Sequence, residues 1–113
     1  MAIKIWHNNR CSKSREALKL LEERGEELVV YHYLKETPDM DDIKTVLKRL
    51  GIKAKDLIRT KEKIFKELEL TEVEDEETLI KAMVEHPTLI ERPIIITESK
   101  AIIGRPPALV LEL

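Results

Sequence analysis

One cysteine, Cys11, is the only thiol in this 113-residue chain. That scarcity excludes an internal disulfide, and with three scattered histidines it argues against a zinc site, so no metal is expected. Long apolar runs are missing too: nothing approaches the roughly 20 residues of a membrane span, and no charged-then-apolar leader opens the sequence. The expected compartment is therefore the reducing cytoplasm, where a lone thiol stays free, with no membrane partner. Charge of one sign is also lacking. Twenty basic residues stand against 22 acidic ones, which argues against the dominant basic face of a nucleic-acid-binding protein but leaves room for a local cationic pocket. Repeats, low-complexity tracts and linkers are absent, so residues 1–113 read as one domain, long enough to fold without disulfides or metals.

What the chain does contain is an alternation of element types. Ala2 to Trp6 alternates apolar and polar residues as a strand does. A polar turn without glycine, His7 to Ser12, leads into a helix predicted from about Ser14 to Arg24. Ala17, Leu18 and Leu21 form its stripe and Gly25 follows its end. Leu28 to Tyr33 reads as a second strand. Thr37-Pro38-Asp39 reads as a helix start, with a capping hydroxyl, an early proline and a carboxylate near the positive end. Met40, Ile43, Val46, Leu47 and Leu50 keep helical spacing up to Gly51. Smaller helical pieces follow, with Ile64, Phe65 and Leu68 on one face, and another helix begins near Asp75 and ends before His86-Pro87. The acidic stretch Glu69 to Glu77 reads as solvated loop and helix start. The tail reads as a hairpin turning at Glu98-Ser99, after which Gly104-Arg105-Pro106-Pro107 opens a last helix. The order β-α-β, helical block, β-β-α predicts an α/β, thioredoxin-like fold: a mixed central sheet with helices packed around it.

Most cysteines are buried and act as small hydrophobes. Cys11 has polar neighbours instead: Asn9, Arg10, Ser12 and Lys13. It lies where a chain enters a helix, and the unpaired N–H groups and macrodipole there favour an anion. Arg10, Lys13 and Arg15 add positive charge. These effects stabilise thiolate over thiol, and the thiolate is the nucleophile. Ser12 and Ser14 can donate hydroxyls to the sulfur or cap the helix. A helix start also cradles phosphate-like groups, so a tetrahedral oxyanion or a charged thiol partner suits the site.

Arg92 and Arg105 flank the hairpin symmetrically. A turn centred on Glu98-Ser99 places them opposite each other at the open end of the ladder, about 5 Å apart, able to grip one ligand. Each precedes a proline, and a thioredoxin-like sheet carries a cis-proline at the first of these positions, beside the active thiol. Arginine suits two-pronged recognition of oxyanions. Arg59, from the helical block, is a third candidate donor. His7 can pair with the thiolate, raise the local positive potential or simply end its strand, while His32 and His86 read as structural and Trp6 as sheet packing.

The stretch His7-Asn8-Asn9-Arg10-Cys11-Ser12-Lys13-Ser14-Arg15 resembles the His-Asn-Pro-x-Cys-x-x-Ser-Arg motif of the glutaredoxin-dependent arsenate reductases. Leu57-Ile58-Arg59, His86-Pro87, Glu91-Arg92-Pro93-Ile94 and Gly104-Arg105-Pro106-Pro107 match that family's later landmarks in order. The resemblance covers essentially the whole chain and is nearest the family's shorter members. It implies that Cys11 is the nucleophile, that Arg59, Arg92 and Arg105 bind the oxyanion and its arsenite product, and that His7 and Ser14 stabilise the thiolate. It implies arsenate as substrate, glutathione as co-substrate, glutaredoxin as partner and no bound cofactor. With no second cysteine, an external thiol must resolve the thiol–arsenate adduct. Asn9 stands where the family has proline, and Ser12-Lys13 replaces the Gly-Thr of established resistance enzymes. Two other activities fit the same fold: a glutathione-dependent thiol reductase or oxyanion binder with little arsenate activity, and a regulator of RNA polymerase of the Spx type. The latter commonly has Cys-x-x-Cys where this chain has Ser14 as the second member.

Overall fold

Alternation along Ile3-Lys4-Ile5 sends every second side chain to one face, and this short strand becomes an inner strand of the sheet. The computed structural model describes residues 3–25, 27–98 and 100–112. Its chain divides into two units, Met1–Glu36 with Arg92–Leu113, and Thr37–Glu91.

The first unit holds the sheet. Strand β1 (Ile3–Trp6) leads to helix α1 (Ser12–Glu23), strand β2 (Leu28–Tyr31) and a single helical turn, α2 (Tyr33–Glu36). After the second unit the chain returns as β3 (Ile94–Ile96), β4 (Ala101–Ile103) and a 3-10 turn over Pro107–Glu112. The strand order is β2-β1-β3-β4, with β1 parallel to β2 and antiparallel to β3, and β3 antiparallel to β4. The sheet is therefore mixed, as the element order predicts. Ile3, Ile5 and Ile95 pack with Ala17 and Leu21 of α1 and with Val110 of the final turn. Each large aliphatic side chain buried there contributes about 1.5–3 kcal/mol.

Several boundaries differ from expectation, each for an identifiable reason. Helix α1 begins two residues early, because the Arg15 N–H already donates to the Cys11 carbonyl (3.0 Å) and makes Cys11 its N-cap. Gly25 follows its end in the left-handed region (φ 74°), as expected of a residue just past a helix. Strand β2 stops at Tyr31. The His7 N–H takes the Tyr31 carbonyl (2.9 Å), and Tyr33 then turns inward to stack on Trp6, ring centroids 6.2 Å apart. The last segment is 3-10 rather than α-helical: Pro106 and Pro107 lack N–H groups, and Leu109 donates to the Pro106 carbonyl in an i→i+3 bond (3.0 Å). Ala2 and Ser99 lie outside the described residues.

The second unit is helical: α3 (Met40–Leu50), α4 (Ala54–Leu57), α5 (Lys63–Glu67), α6 (Glu76–Glu85) and a 3-10 turn at Pro87–Leu89. Helix α3 is capped by Asp39 rather than Thr37. The Asp39 carboxylate accepts the Asp42 N–H (2.8 Å) while the Asp42 carboxylate accepts the Asp39 N–H (3.0 Å). Gly51 closes this helix in the left-handed region (φ 70°) and donates to the Leu47 carbonyl at 2.9 Å. Ile43, Val46 and Leu47 are buried, as are Leu79, Ile80 and Met83 of α6. Of the predicted face on α5, Phe65 is buried, but Leu68 falls past the end of the helix and is exposed. Among the described residues, no helix is long and apolar enough to cross a membrane.

Candidate active site around Cys11

The end of β1 and the start of α1 are joined by a loop that folds on its own polar groups. The Asn8 side-chain oxygen accepts the Arg10 N–H (3.0 Å), and the Asn8 carbonyl accepts the Cys11 N–H (3.0 Å). Arg15, one helical turn on, donates its Nη1 to the Asn9 carbonyl (2.8 Å). These bonds hold the loop from both ends without a glycine. Asn8 is a loop-holding residue that the sequence motif did not single out; an asparagine two residues past a strand was the available signal.

His7 and Ser14, two of the predicted site residues, are the buried polar side chains among the described residues. His7 Nδ1 lies 2.7 Å from Ser14 Oγ, and the Asn8 N–H donates to the same oxygen (3.1 Å). Ser14 therefore reaches the thiol through its backbone N–H, while its hydroxyl serves His7 and the loop. Burial is the main force holding the His7 pKa below the ordinary histidine value, with the positive potential of His32 and Arg15 adding to it. His7 is thus favoured as the neutral ring, which suits a hydroxyl partner. His32 lies edge-on to His7, ring centroids 6.0 Å apart.

Cys11 is buried at 7% exposure, and burial by itself raises a thiol pKa. The opposing groups win. The Ser14 N–H, the Arg92 guanidinium through both a hydrogen bond and its charge, and the Lys13 N–H together lower the Cys11 pKa below the ordinary thiol value. The helix N-terminus and one arginine therefore favour the thiolate.

The arginine pair comes from sheet register. Ile94 faces Ile103 and Ile96 faces Ala101, so continuing the ladder outward sets Arg92 opposite Arg105. The Gly104 N–H donates to the Pro93 carbonyl (2.9 Å), and Arg105 Nε donates to the Arg92 carbonyl (2.7 Å). Arg105 Nη2 then reaches Cys11 Sγ at 3.6 Å. Gly104 has a packing reason: a Cβ there would meet Pro93 Cγ at 2.9 Å and Ile95 Cδ1 at 3.2 Å. The Arg92–Pro93 peptide is cis, as a thioredoxin-like sheet implies, and so is Arg105–Pro106.

Cys11, Arg92, Arg105, His7 and Ser14 thus come together within the sheet unit. Arg59 belongs to the helical unit. There its backbone N–H donates to the Leu89 carbonyl (2.7 Å), and its guanidinium is held by Glu62 (3.1 Å) and Glu91 (2.9 Å).

A thiol whose pKa is lowered and which lies beside two cations suits an electrophilic oxyanion or a thiol partner, and similarity to known proteins points the same way. An arsenate reductase of Neisseria meningitidis is 46% identical over 92% of this chain and 91% of its own. The uncharacterized Escherichia coli protein YfgD is 50% identical over 98% of this chain and 95% of its own. The structure of an arsenate reductase from Vibrio cholerae superposes with a TM-score of 0.93 at 43% identity, covering 99% of this chain and 97% of that one. The thioredoxin-like architecture predicted from the element order is that of this structure. A profile of the ArsC family matches residues 6–113, and with these likenesses running nearly end to end, the chain belongs to the ArsC family.

Proposed function

We propose that the protein reduces arsenate to arsenite, with Cys11 as nucleophile and glutathione and glutaredoxin as the external thiols. The observation that carries this reading is the approach of Arg105 Nη2 to within 3.6 Å of Cys11 Sγ, with Arg92 beside the same sulfur. Two guanidinium groups next to the attacking atom offset the charge of a bound oxyanion and of the thiolate that attacks it. The relatives named arsenate reductase support the same choice of substrate.

In the proposed reaction the Cys11 thiolate forms an S–As bond and one arsenate oxygen leaves, protonated, as water. Arsenic is still As(V) in this adduct. A glutathione thiolate then attacks Cys11 Sγ, forming a disulfide. The S–As bond breaks with its electron pair going to arsenic, which departs as arsenite. A second thiol, from glutaredoxin, exchanges with the mixed disulfide and returns Cys11 to the thiolate. Two thiols supply the two electrons. His7 holds Ser14 in place, and the Ser14 N–H supports the thiolate in each cycle. Such chemistry belongs in a reducing, cytoplasmic setting. Arg59, of the helical unit, is the third oxyanion-binding arginine that the family resemblance implies.

A second reading, a glutathione-dependent thiol reductase with little arsenate activity, is favoured by one observation. Arg59 is already engaged by two carboxylates, which compensate its charge. A coupled assay separates the two. NADPH oxidation is followed with arsenate, glutathione, glutaredoxin and glutathione reductase, for wild type and Cys11→Ser. Arsenate-dependent turnover that disappears in Cys11→Ser is the expected result. Absence of turnover in wild type, with Cys11 still readily alkylated at neutral pH, removes arsenate and leaves the thiol reductase.

A further inference from the structure

The loop His7 to Arg10 has two sides. Strand β1, which feeds it, lies between β2 and β3, and the arginine pair is on the β3 side. On the β2 side is a cleft of about 240 Å³, walled by the loop itself and by His32, Leu34 and Lys35.

We propose that this cleft binds a carboxylate-bearing arm of the small peptide thiol that exchanges with Cys11, and so selects the thiol donor. The proposal rests on the reading that Cys11 works with an external thiol, which a chain with one cysteine requires for any turnover through a disulfide. Four observations carry it. The cleft is small beside the roughly 300–1,000 Å³ that houses a whole drug-sized ligand, so it suits one amino-acid-sized arm. Its charged lining residues, Arg10 and Lys35, are both cations and both exposed, ready to pair with a carboxylate. Asn8 and Asn9 add amide groups that match a peptide backbone, and Leu34, 37% exposed, offers an apolar strip for the arm's methylenes. Finally, the cleft shares its wall with the nucleophile: the Asn8 carbonyl accepts the Cys11 N–H at 3.0 Å. Arg10, which lines the cleft, directly precedes Cys11 in the chain, and one or two extended residues of a peptide thiol reach about 4–7 Å.

The test uses disulfide exchange, which needs no arsenate. Cys11 thiolate attacks oxidised glutathione, forming a Cys11–glutathione disulfide and releasing one glutathione thiolate. The same exchange is run with hydroxyethyl disulfide, which has no carboxylates. Mass spectrometry gives the rate of Cys11 modification for each. The ratio of the two rates cancels any change in the thiol itself. Wild type is expected to favour oxidised glutathione at least tenfold more than an unfolded control peptide spanning Cys11 does, and the preference should fall with added salt. Arg10→Ala with Lys35→Ala should bring the ratio to the control value, and Arg10→Lys with Lys35→Arg should retain most of it. An unchanged ratio in the double alanine variant, or a wild-type ratio equal to the control, overturns the proposal. Loss of arsenate turnover with the preference intact would overturn only the arsenate reading.

Discussion

In the sheet unit two polar side chains, His7 and Ser14, are buried next to a thiol, and two arginines meet at the end of a hairpin. In the helical unit the fully buried side chains among the described residues are apolar, and several of its polar bonds serve helix ends: Asp39 on α3, Asp75 on α6, and the Glu76 carboxylate on the Ala54 N–H at 3.0 Å. Burying polar groups costs stability unless each finds a partner, and here His7 and Ser14 partner each other beside the thiol, so their burial depends on that hydrogen bond. The helical unit has no such buried polar pair among its described residues.

That contrast can be broken most directly at Arg92. Removing its charge in Arg92→Gln leaves the burial that raises the Cys11 pKa and takes away one of the groups that lower it. The midpoint of an alkylation–pH profile, expected below the ordinary ~8.5 in wild type, should move up. Loss of a charged hydrogen bond worth about 1.5–3 kcal/mol should cut kcat/KM for arsenate by roughly 10- to 150-fold. An unmoved midpoint would mean that Arg92 does not act on the sulfur.

Gly104→Ala tests whether the arginine pair depends on backbone fit. The new methyl would press on Pro93 and Ile95, at a cost of about 1–3 kcal/mol in thermal or urea unfolding, and would displace Arg92 and Arg105 from each other. Thiol reactivity should change with it. Equal stability and reactivity would show that the hairpin end adapts freely.

His7 gives the contrast a pH signature. Burial lowers its folded pKa, so between that value and the unfolded value near 6.5 the unfolded chain binds more protons and stability rises with pH. Its contribution is complete above about pH 6.5 and is lost as pH falls through the lower folded value. Thermal melts of wild type between pH 5 and 8 should show this loss, and His7→Gln should flatten it. The same slope in the variant would assign the acid sensitivity elsewhere.

The smallest effect is expected in the other unit. Asp39→Ala removes the cap of α3 and should cost about 1 kcal/mol of stability while leaving the Cys11 alkylation profile where it was. A shifted profile would mean that the helical unit also tunes the thiol.

Much of the helical unit was legible because its signals are local. The spacing of Ile43, Val46 and Leu47 and the stop at Gly51 sit within one or two turns of what they control. Even there the cap moved from Thr37 to Asp39, because two carboxylates three residues apart bond each other's N–H groups reciprocally. In the sheet unit one misread boundary, the end of β2, is set by distant partners. Strand β2 ends where β1 ceases to pair with it, and Tyr33 turns in to meet Trp6, which no local pattern foretells.

The sequence by itself determined the loop that ends in Cys11 at a helix start, and the symmetry of Arg92 and Arg105 about one turn. Strand period and helix polarity follow from the backbone alone. Only the tertiary structure decided that these parts meet. Trp6 pairs with Ile94 across the sheet, and this register brings Arg105 to a sulfur 94 residues earlier in the chain. It also decided that Ser14 faces inward toward His7, which made one serine of the motif a buried partner and left Ser12 exposed. Such choices depend on which side chains fill the space between packed elements, and that space does not exist until the sheet has formed.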